Sequence, residues 1–385
     1  MARAYPGIVA AMLFLATAAV NLEVPLYRAY AERAGYGTGP TAVVFAAYVG
    51  GLLPVLIVCG GISDRVGRKP VVLAGLAAAA LATALMIARP TMEMLLVARL
   101  LQGVGVGLSV GAGTAYLAEL LGGAQGPTRA AATVAFTTSL GFGGGALATT
   151  IALALLPGDA ATPRSYPLLL LATVVCLAVA LALPATTPPG GPLLRLPSYP
   201  AGTVPLGLTI AVAWAVTGLV IAVVPTQLAR AGLGGWVGAA LFCVNGTGAL
   251  CQPLARRLSP GRALRVGCAL VPSGYLILVV GAWRGWLPLV LAGAALAGAA
   301  CYGFTYLGGL AAVSRAGGAE RARAVSGYFL WAYLGFGLPS VALGFLADRV
   351  GVLPALVGFG IVVVLASGAL ASRVEGAGGV GGTGG

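Results

Sequence analysis

Two residues stand where their chemistry is expensive. Arg99 lies inside the apolar run LLVARLLQGVGVGLSVGAG (95–113), and Glu23 lies inside ATAAVNLEVPLY (16–27). A cation at membrane depth costs several kcal/mol unless it is paired or wet, so Arg99 is expected to face a cavity or a partner, or else to snorkel to an interface. Glu23 is the one acid placed within an apolar stretch rather than near its end. If both stretches are helices of opposite direction, Glu23 sits about 22 Å and Arg99 roughly 10 Å from the start of its helix. That puts them in the same half of the layer. An ion pair there, with Glu23 able to carry a proton, is one reading; a glutamate in interfacial water beside Pro25 is the other. Asn21 and Gln102 flank the pair and are candidate contacts for a ligand.

The second chemical segment is GGISDRVGRKP, from Gly60 to Pro70. Gly67 permits a tight turn with positive φ. Asp64 ends one apolar stretch, where Arg65, Arg68 and Lys69 can pair with it or with helix ends. Glu119, at the foot of a later stretch, is expected to pair with Arg65 or Arg68, or else to cap or be solvated. The absence of histidine (His 0) removes a His-ligated metal site, a His base and a Ser-His-Asp triad. None of the six cysteines forms a C-x-x-C pair. They read as small buried hydrophobes, and no metal site is expected.

The surroundings of these residues set the class of protein. Of 385 residues, 59% are hydrophobic and 8% charged, with a mean hydropathy of +1.00. Soluble domains carry about 25% charged residues. A soluble enzyme, a disordered chain and a nucleic-acid-binding domain are therefore excluded, and an all-α integral membrane protein remains. The net charge of +13 comes mostly from arginines in short connections, which read as topology signals. Twelve apolar stretches are long enough to cross a bilayer, near 7–26, 41–62, 71–89, 92–118, 129–155, 166–184, 204–225, 234–254, 264–282, 286–313, 322–345 and 353–372. With both termini cytoplasmic, roughly two basic residues fall inside for each one outside, which supports that orientation. The arginine-, alanine- and glycine-rich composition points to a bacterial cell (inner) membrane.

Residues 1–184 and 204–375 are expected to form two six-helix bundles. A Pro- and Gly-rich cytoplasmic linker at 185–203 joins them, and a disordered glycine-rich tail follows at 376–385. A shift of 192 residues superposes Arg65 on Arg257 and brings Asp348 near Asp159, a faint sign of duplication. Asp348 and Arg349, in GFLADRVG, echo the Asp64 segment and are taken as turn residues. Gly103, Gly107 and Gly111 recur every fourth residue and are expected to let another helix approach closely. Gly141 and Gly145, in TSLGFGGGALATT, are expected to allow close approach or bending.

At Gly60, Asp64, Arg65, Gly67, Arg68 and Lys69 the chain resembles the major facilitator superfamily. Its signature between helices 2 and 3 is Gly-x-x-x-Asp-Arg-x-Gly-Arg-(Arg/Lys). Twelve helices in two halves is also that family's plan. The resemblance implies that Asp64 and Arg68 act in a latch between the halves rather than in substrate contact. Arg99-x-x-Gln102-Gly103 is similar to the helix 4 signature of proton-coupled members, in which the arginine is linked to proton movement. The antiporter signature of helix 5, Gly-x-x-x-Gly-Pro-x-x-Gly-Gly, is matched at Gly141 and Gly145. It is not matched at Ala146, Thr149 and Thr150.

The second half offers Trp214, Asn245, Gln252, Tyr302, Tyr306, Tyr328, Trp331 and Tyr333, a set suited to an apolar or aromatic organic molecule, though packing alone also accounts for aromatics at such spacing. The expectation is a secondary transporter, not an enzyme, working by alternating access. It would expel a drug, antibiotic or natural product against inward proton flow, as a monomer among membrane lipids. It would use no cofactor beyond the proton gradient and bind no nucleic acid. Metabolite uptake by symport or facilitated diffusion is the alternative, disfavoured by the scarcity of Asn, Gln and acidic residues.

Overall fold

In hydrocarbon every backbone N–H and C=O must find its partner within the protein, and a helix satisfies them within one segment. The computed structural model is built on that economy. It describes residues 4–156, 158–185, 190 and 196–376. Those residues hold helices α1 (Tyr5–Asn21), α2 (Tyr27–Ala34), α3 (Thr38–Val58), α4 (Ser63–Val66), α5 (Arg68–Ala88), α6 (Met92–Leu121), α7 (Gly126–Leu155) and α8 (Ser165–Ala180). They continue with α9 (Val204–Ala222), α10 (Val224–Arg230), α11 (Val237–Ala255), α12 (Pro260–Arg284), α13 (Leu287–Gly298), α14 (Tyr306–Ala316), α15 (Arg321–Val350) and α16 (Val352–Gly376). No strand occurs among the described residues.

Eleven of the resulting rods are long and apolar enough to cross a membrane, and α8 is a shorter apolar helix. Together they give the twelve crossings. Leu155 (74% exposed), Leu250 (73%) and Leu365 (68%) point outward, which lipid tails tolerate and water would not. Several crossing ends fall four or more residues from expectation, those of α3 (Val58) and α15 (Val350) among them, and two bear on the polar sites. The first does not stop near residue 26: α1 ends at Asn21, a 3-10 turn covers Val24–Leu26, and α2 continues to Ala34. Pro25, which has no N–H to donate, forces the break. The α8 crossing ends at Ala180 rather than near 184. There the Lys69 ammonium donates to the carbonyls of Leu181 and Leu183, both at 2.7 Å, and so satisfies groups the finished helix leaves open.

The chain divides into two compact units. One comprises Met1–Gly35 with Ala47–Arg195, the other Tyr36–Ala46 with Leu196–Gly385. Helix α3 thus contributes its first turns to the second unit and the remainder to the first. In the first unit, Val9, Leu13, Val72, Leu76, Tyr116 and Leu117 belong to one buried apolar cluster. Glycines set the closest helix approaches. A Cβ at Gly103 would overlap the Tyr48 carbonyl of α3, and one at Gly51 the Leu100 carbonyl of α6. Gly107 faces Val55, while Gly141 and Gly145 lie against the backbone of α1 at Phe14 and Ala18. Gly111 breaks the expected stripe: nothing lies within 4 Å of where its Cβ would be. Four-residue spacing drifts around a helix of 3.6 residues per turn, and by Gly111 the seam has moved away.

In the second unit α13 and α14 are joined by a π-helical segment, Ala299–Thr305. The Thr305 hydroxyl donates to the carbonyls of Ala300 (2.8 Å) and Cys301 (2.9 Å). The end of the expected linker is tied to α15: Ser198 N–H donates to the Arg323 carbonyl, and Arg323 Nε to the Leu196 carbonyl, both at 3.0 Å. Residues 186–189 and 191–195 of that linker, and 377–385 of the expected tail, lie outside the described residues.

Gly103→Leu is expected to destabilise the fold by about 1–3 kcal/mol through overpacking. Gly111→Ala, in open space, is expected to be neutral or to gain up to about 1 kcal/mol from helix propensity. Size-exclusion profiles after a heating series measure both, and equal melting of the two variants would contradict the α3–α6 contact described here.

Candidate functional site

The break at Pro25 creates a polar centre in the first unit. Where α1 stops, its last carbonyls lose their helical donors. Two side chains of α6 supply replacements: Arg99 Nη1 donates to the Val20 carbonyl at 2.6 Å, and Gln102 Nε2 to the Ala19 carbonyl at 3.0 Å. Arg99 and Gln102 are three residues apart and so share a helix face. Gln102 also joins the two charged residues. Its Nε2 donates to Glu23 Oε1 and Oε2 at 3.1 and 3.2 Å, while its Oε1 accepts from Arg99 Nη1 at 3.2 Å. A guanidinium only donates and a carboxylate only accepts, so the amide can lie only this way round. Glu23, Arg99 and Gln102 are all 0% exposed. The Arg99 guanidinium acts electrostatically on Glu23 and lies over the Tyr48 ring, 4.9 Å from its centroid.

Asn21, expected beside this centre, turns elsewhere: its side-chain amide donates to the Phe142 carbonyl of α7 at 2.9 Å. Three tyrosines that the sequence reading passed over stand close by. Glu23 interacts electrostatically with Tyr27, Tyr30 and Tyr166. The Tyr30 hydroxyl donates to the Ala161 carbonyl at 2.6 Å and lies 3.0 Å from that of Tyr166. The Tyr27 hydroxyl is buried without a hydrogen-bond partner among the described residues. The signal for two of them was present, since 23, 27 and 30 follow the spacing of one helix face.

The signature turn forms a second polar cluster in the same unit. Asp64 and Ser63 lie in the one-turn helix α4, and Gly67 follows with φ 94°. Arg68, at the start of α5, gathers three partners: the Asp64 carboxylate, the Ser63 hydroxyl at 2.7 Å and Glu119 at 3.1 Å. Glu119 therefore pairs with Arg68. Arg65 and Gly60 are exposed, and Lys69 caps the end of α8.

In the second unit the aromatic candidates separate. Trp214 meets Tyr333 edge-on at 5.2 Å, Tyr302 at 5.6 Å and Phe336 at 6.1 Å. Its indole N–H is buried and has no acceptor among the described residues. Tyr306 and Tyr328 both contact Phe329, which in turn reaches Tyr333. The Tyr328 hydroxyl donates to the Thr305 carbonyl at 2.9 Å. Trp331 instead packs on Gly207, and Asn245 spends its amide on the Leu241 carbonyl of its own helix at 2.9 Å. Gln252 reaches the Tyr302 carbonyl at 3.5 Å.

Comparison with known proteins adds three findings. Residues 7–338 match the sequence pattern of the Major Facilitator Superfamily. Stretches of 91 and 65 residues are 31% and 35% identical to multidrug resistance protein MdtL of Shewanella oneidensis and of Shewanella sp. strain ANA-3. They cover 24% and 17% of this chain, and span 23% and 16% of the relatives' length. Among solved structures, the nucleoside transporter NupG superposes with a TM-score of 0.76 at 11% identity, covering 98% of this chain and 100% of its own. A POT family transporter in complex with a thioalcohol-conjugated peptide superposes with a TM-score of 0.78 at 13% identity, covering 97% and 96%. These two likenesses establish the fold.

The Arg68 cluster and the exposed Arg28–Glu32 pair differ in burial, with side chains 12%/9% exposed for Arg68–Asp64 and 44%/61% for Arg28–Glu32. Arg68→Ala is expected to cost about 3 kcal/mol, because it removes a main partner of a nearly buried carboxylate. Arg28→Ala is expected to stay within about 1 kcal/mol of wild type. Melting of the purified variants checks the order, and an Arg68→Ala protein as stable as Arg28→Ala would contradict the cluster.

Proposed function

The chain belongs to the Major Facilitator Superfamily, a multi-pass membrane transporter and not an enzyme, and on that premise we propose that it expels a hydrophobic or amphipathic organic compound in exchange for protons. One observation carries the reading: a carboxyl group with no exposure, Glu23, is joined through Gln102 to a buried guanidinium at the break of the first crossing. Structural ion pairs rarely need so costly a place, and ionisable groups inside a membrane mark pathways for ions and protons. Taking up a proton converts Glu23 from an acceptor of the Gln102 amide into a group that also donates, and removes the charge that faces Arg99. The hold of α6 on the end of α1 therefore depends on whether the proton is present.

Transport follows if proton and substrate favour different conformations, each shifting the equilibrium by its own difference in affinity. In the proposed cycle Glu23 receives its proton from outside and gives it up inside while the two halves rock about a central site. The cluster of Trp214, Tyr302, Tyr333 and Phe336 supplies flat apolar surface for an organic ring. The partial likeness to multidrug resistance proteins supports the same substrate class. The proposed setting is a bacterial inner membrane with both ends of the chain in the cytoplasm, and the proposed form is a monomer.

Ethidium, a lipophilic aromatic cation, is a suitable probe. Proteoliposomes given a pH gradient are expected to move ethidium against the proton flow. Glu23→Gln is expected to reduce that flux to the level of protein-free vesicles while the protein keeps its elution profile. Gradient-driven flux at the wild-type rate from Glu23→Gln would show that the proton travels elsewhere.

A further inference from the structure

The segment GGISDRVG (Gly60–Gly67) has a second copy in GFLADRVG (Gly344–Gly351), with Gly, Asp, Arg, Val and Gly at the same places. The backbone repeats as well: Gly67 has φ 94°, ψ 159° and Gly351 has φ 94°, ψ 154°. Three inner positions differ (Gly61, Ile62 and Ser63 against Phe345, Leu346 and Ala347), and so do the residues that follow. After Gly67 come Arg68 and Lys69; after Gly351 come Val352 and Leu353. Asp64 gives its carboxylate to Arg68. Asp348 has no cation at the matching place, and its carboxylate is used for something else.

Asp348 Oδ1 accepts from the Thr38 N–H at 2.7 Å, and Oδ2 from the Gly39 N–H at 2.8 Å. These are open donors at the start of α3, where the helix dipole also favours an anion. The sequence reading took Asp348 for a turn residue; it is the cap of a helix some 310 positions away. The contact is built tightly on glycine. A Cβ at Gly37 would stand 2.7–2.9 Å from the Asp348 carboxylate, and one at Gly344 would stand 2.8 Å from Ala42 Cβ and 3.0 Å from the Thr38 carbonyl. A Cβ at Gly39 would overlap the Phe345 ring. The Thr41 hydroxyl donates to the Gly37 carbonyl at 2.7 Å. Helix α3 is 21 residues long, about 30 Å, so its two ends reach opposite faces of a bilayer. One copy of the motif follows its last turn, and the other grips its first.

We propose that Asp348 is a latch residue at the membrane face opposite the Asp64 turn, clasping the N-terminus of α3 in the closed state of that face and releasing it when the face opens. This use of Asp348 depends on neither the proton carrier nor the transported compound, so its test needs no substrate. Purified full-length protein carries a reporter cysteine at Thr41→Cys or at Val44→Cys, positions 7% and 5% exposed. The rate of reaction with a water-soluble maleimide is read at the peptide level. Asp348→Asn is expected to speed labelling at both positions about tenfold, the factor that loss of one helix cap is worth. Asp348→Glu is expected to stay near wild type, and Gly37→Ala, which pushes on the carboxylate without removing it, to speed labelling by a smaller factor. The latch is overturned if Asp348→Asn and Gly37→Ala, each with the wild-type elution profile, leave both rates unchanged. It is equally overturned if only position 41 quickens, because fraying of one turn would then explain the result.

Discussion

A buried polar group in an apolar layer must find partners within the protein, and the arrangement around Arg99 shows the consequence. A guanidinium inside an apolar helix is tolerable only if the protein itself supplies acceptors. Pro25 supplies one by stopping α1 and leaving the Val20 carbonyl open, and Gln102 supplies another. Glu23, just beyond the break, is reached through the same Gln102. Helix break, cation, amide and acid are therefore one interdependent unit.

The same economy governs helix ends elsewhere. Lys69 closes α8, Arg68 gathers Asp64 and Glu119 beside the start of α5, and Asp348 holds the start of α3. In each case a charged side chain meets backbone groups or an opposite charge at a place where regular hydrogen bonding has ended. Few charges are available in a chain only 8% charged, and these sit where they settle which helix ends stay together. Between the ends, glycines allow backbones to touch, and buried hydroxyls such as those of Thr17 and Thr305 return their hydrogen bonds to their own helices.

Most of the fold was legible because bilayer thickness imposes a length on every apolar run. Glu23 and Arg99 were legible for the opposite reason, as charges where charge is penalised. What stayed hidden depended on direction within a helix or on distant partners. Spacing placed Asn21 near Glu23, but at the end of α1 its amide faces α7. Gly111 continued a four-residue rhythm that the helix does not keep in register. Gln102 entered as a possible ligand contact, and its role as the bridge needed the break in α1 to be seen. Asp348 looked like a turn residue because its partner lies in a helix from the other end of the sequence.

The central proposal is that Glu23 carries the exchanged proton, so that binding of the transported compound, by favouring the other conformation, releases it. Purified protein in lightly buffered detergent, with a pH-sensitive dye present, tests this directly when tetraphenylphosphonium is added as the probe. Exchange at a single carboxyl predicts release of about one proton per chain from the wild type and none from Glu23→Gln. Equal release from the two proteins, or binding of the probe to the wild type with no release, would contradict it.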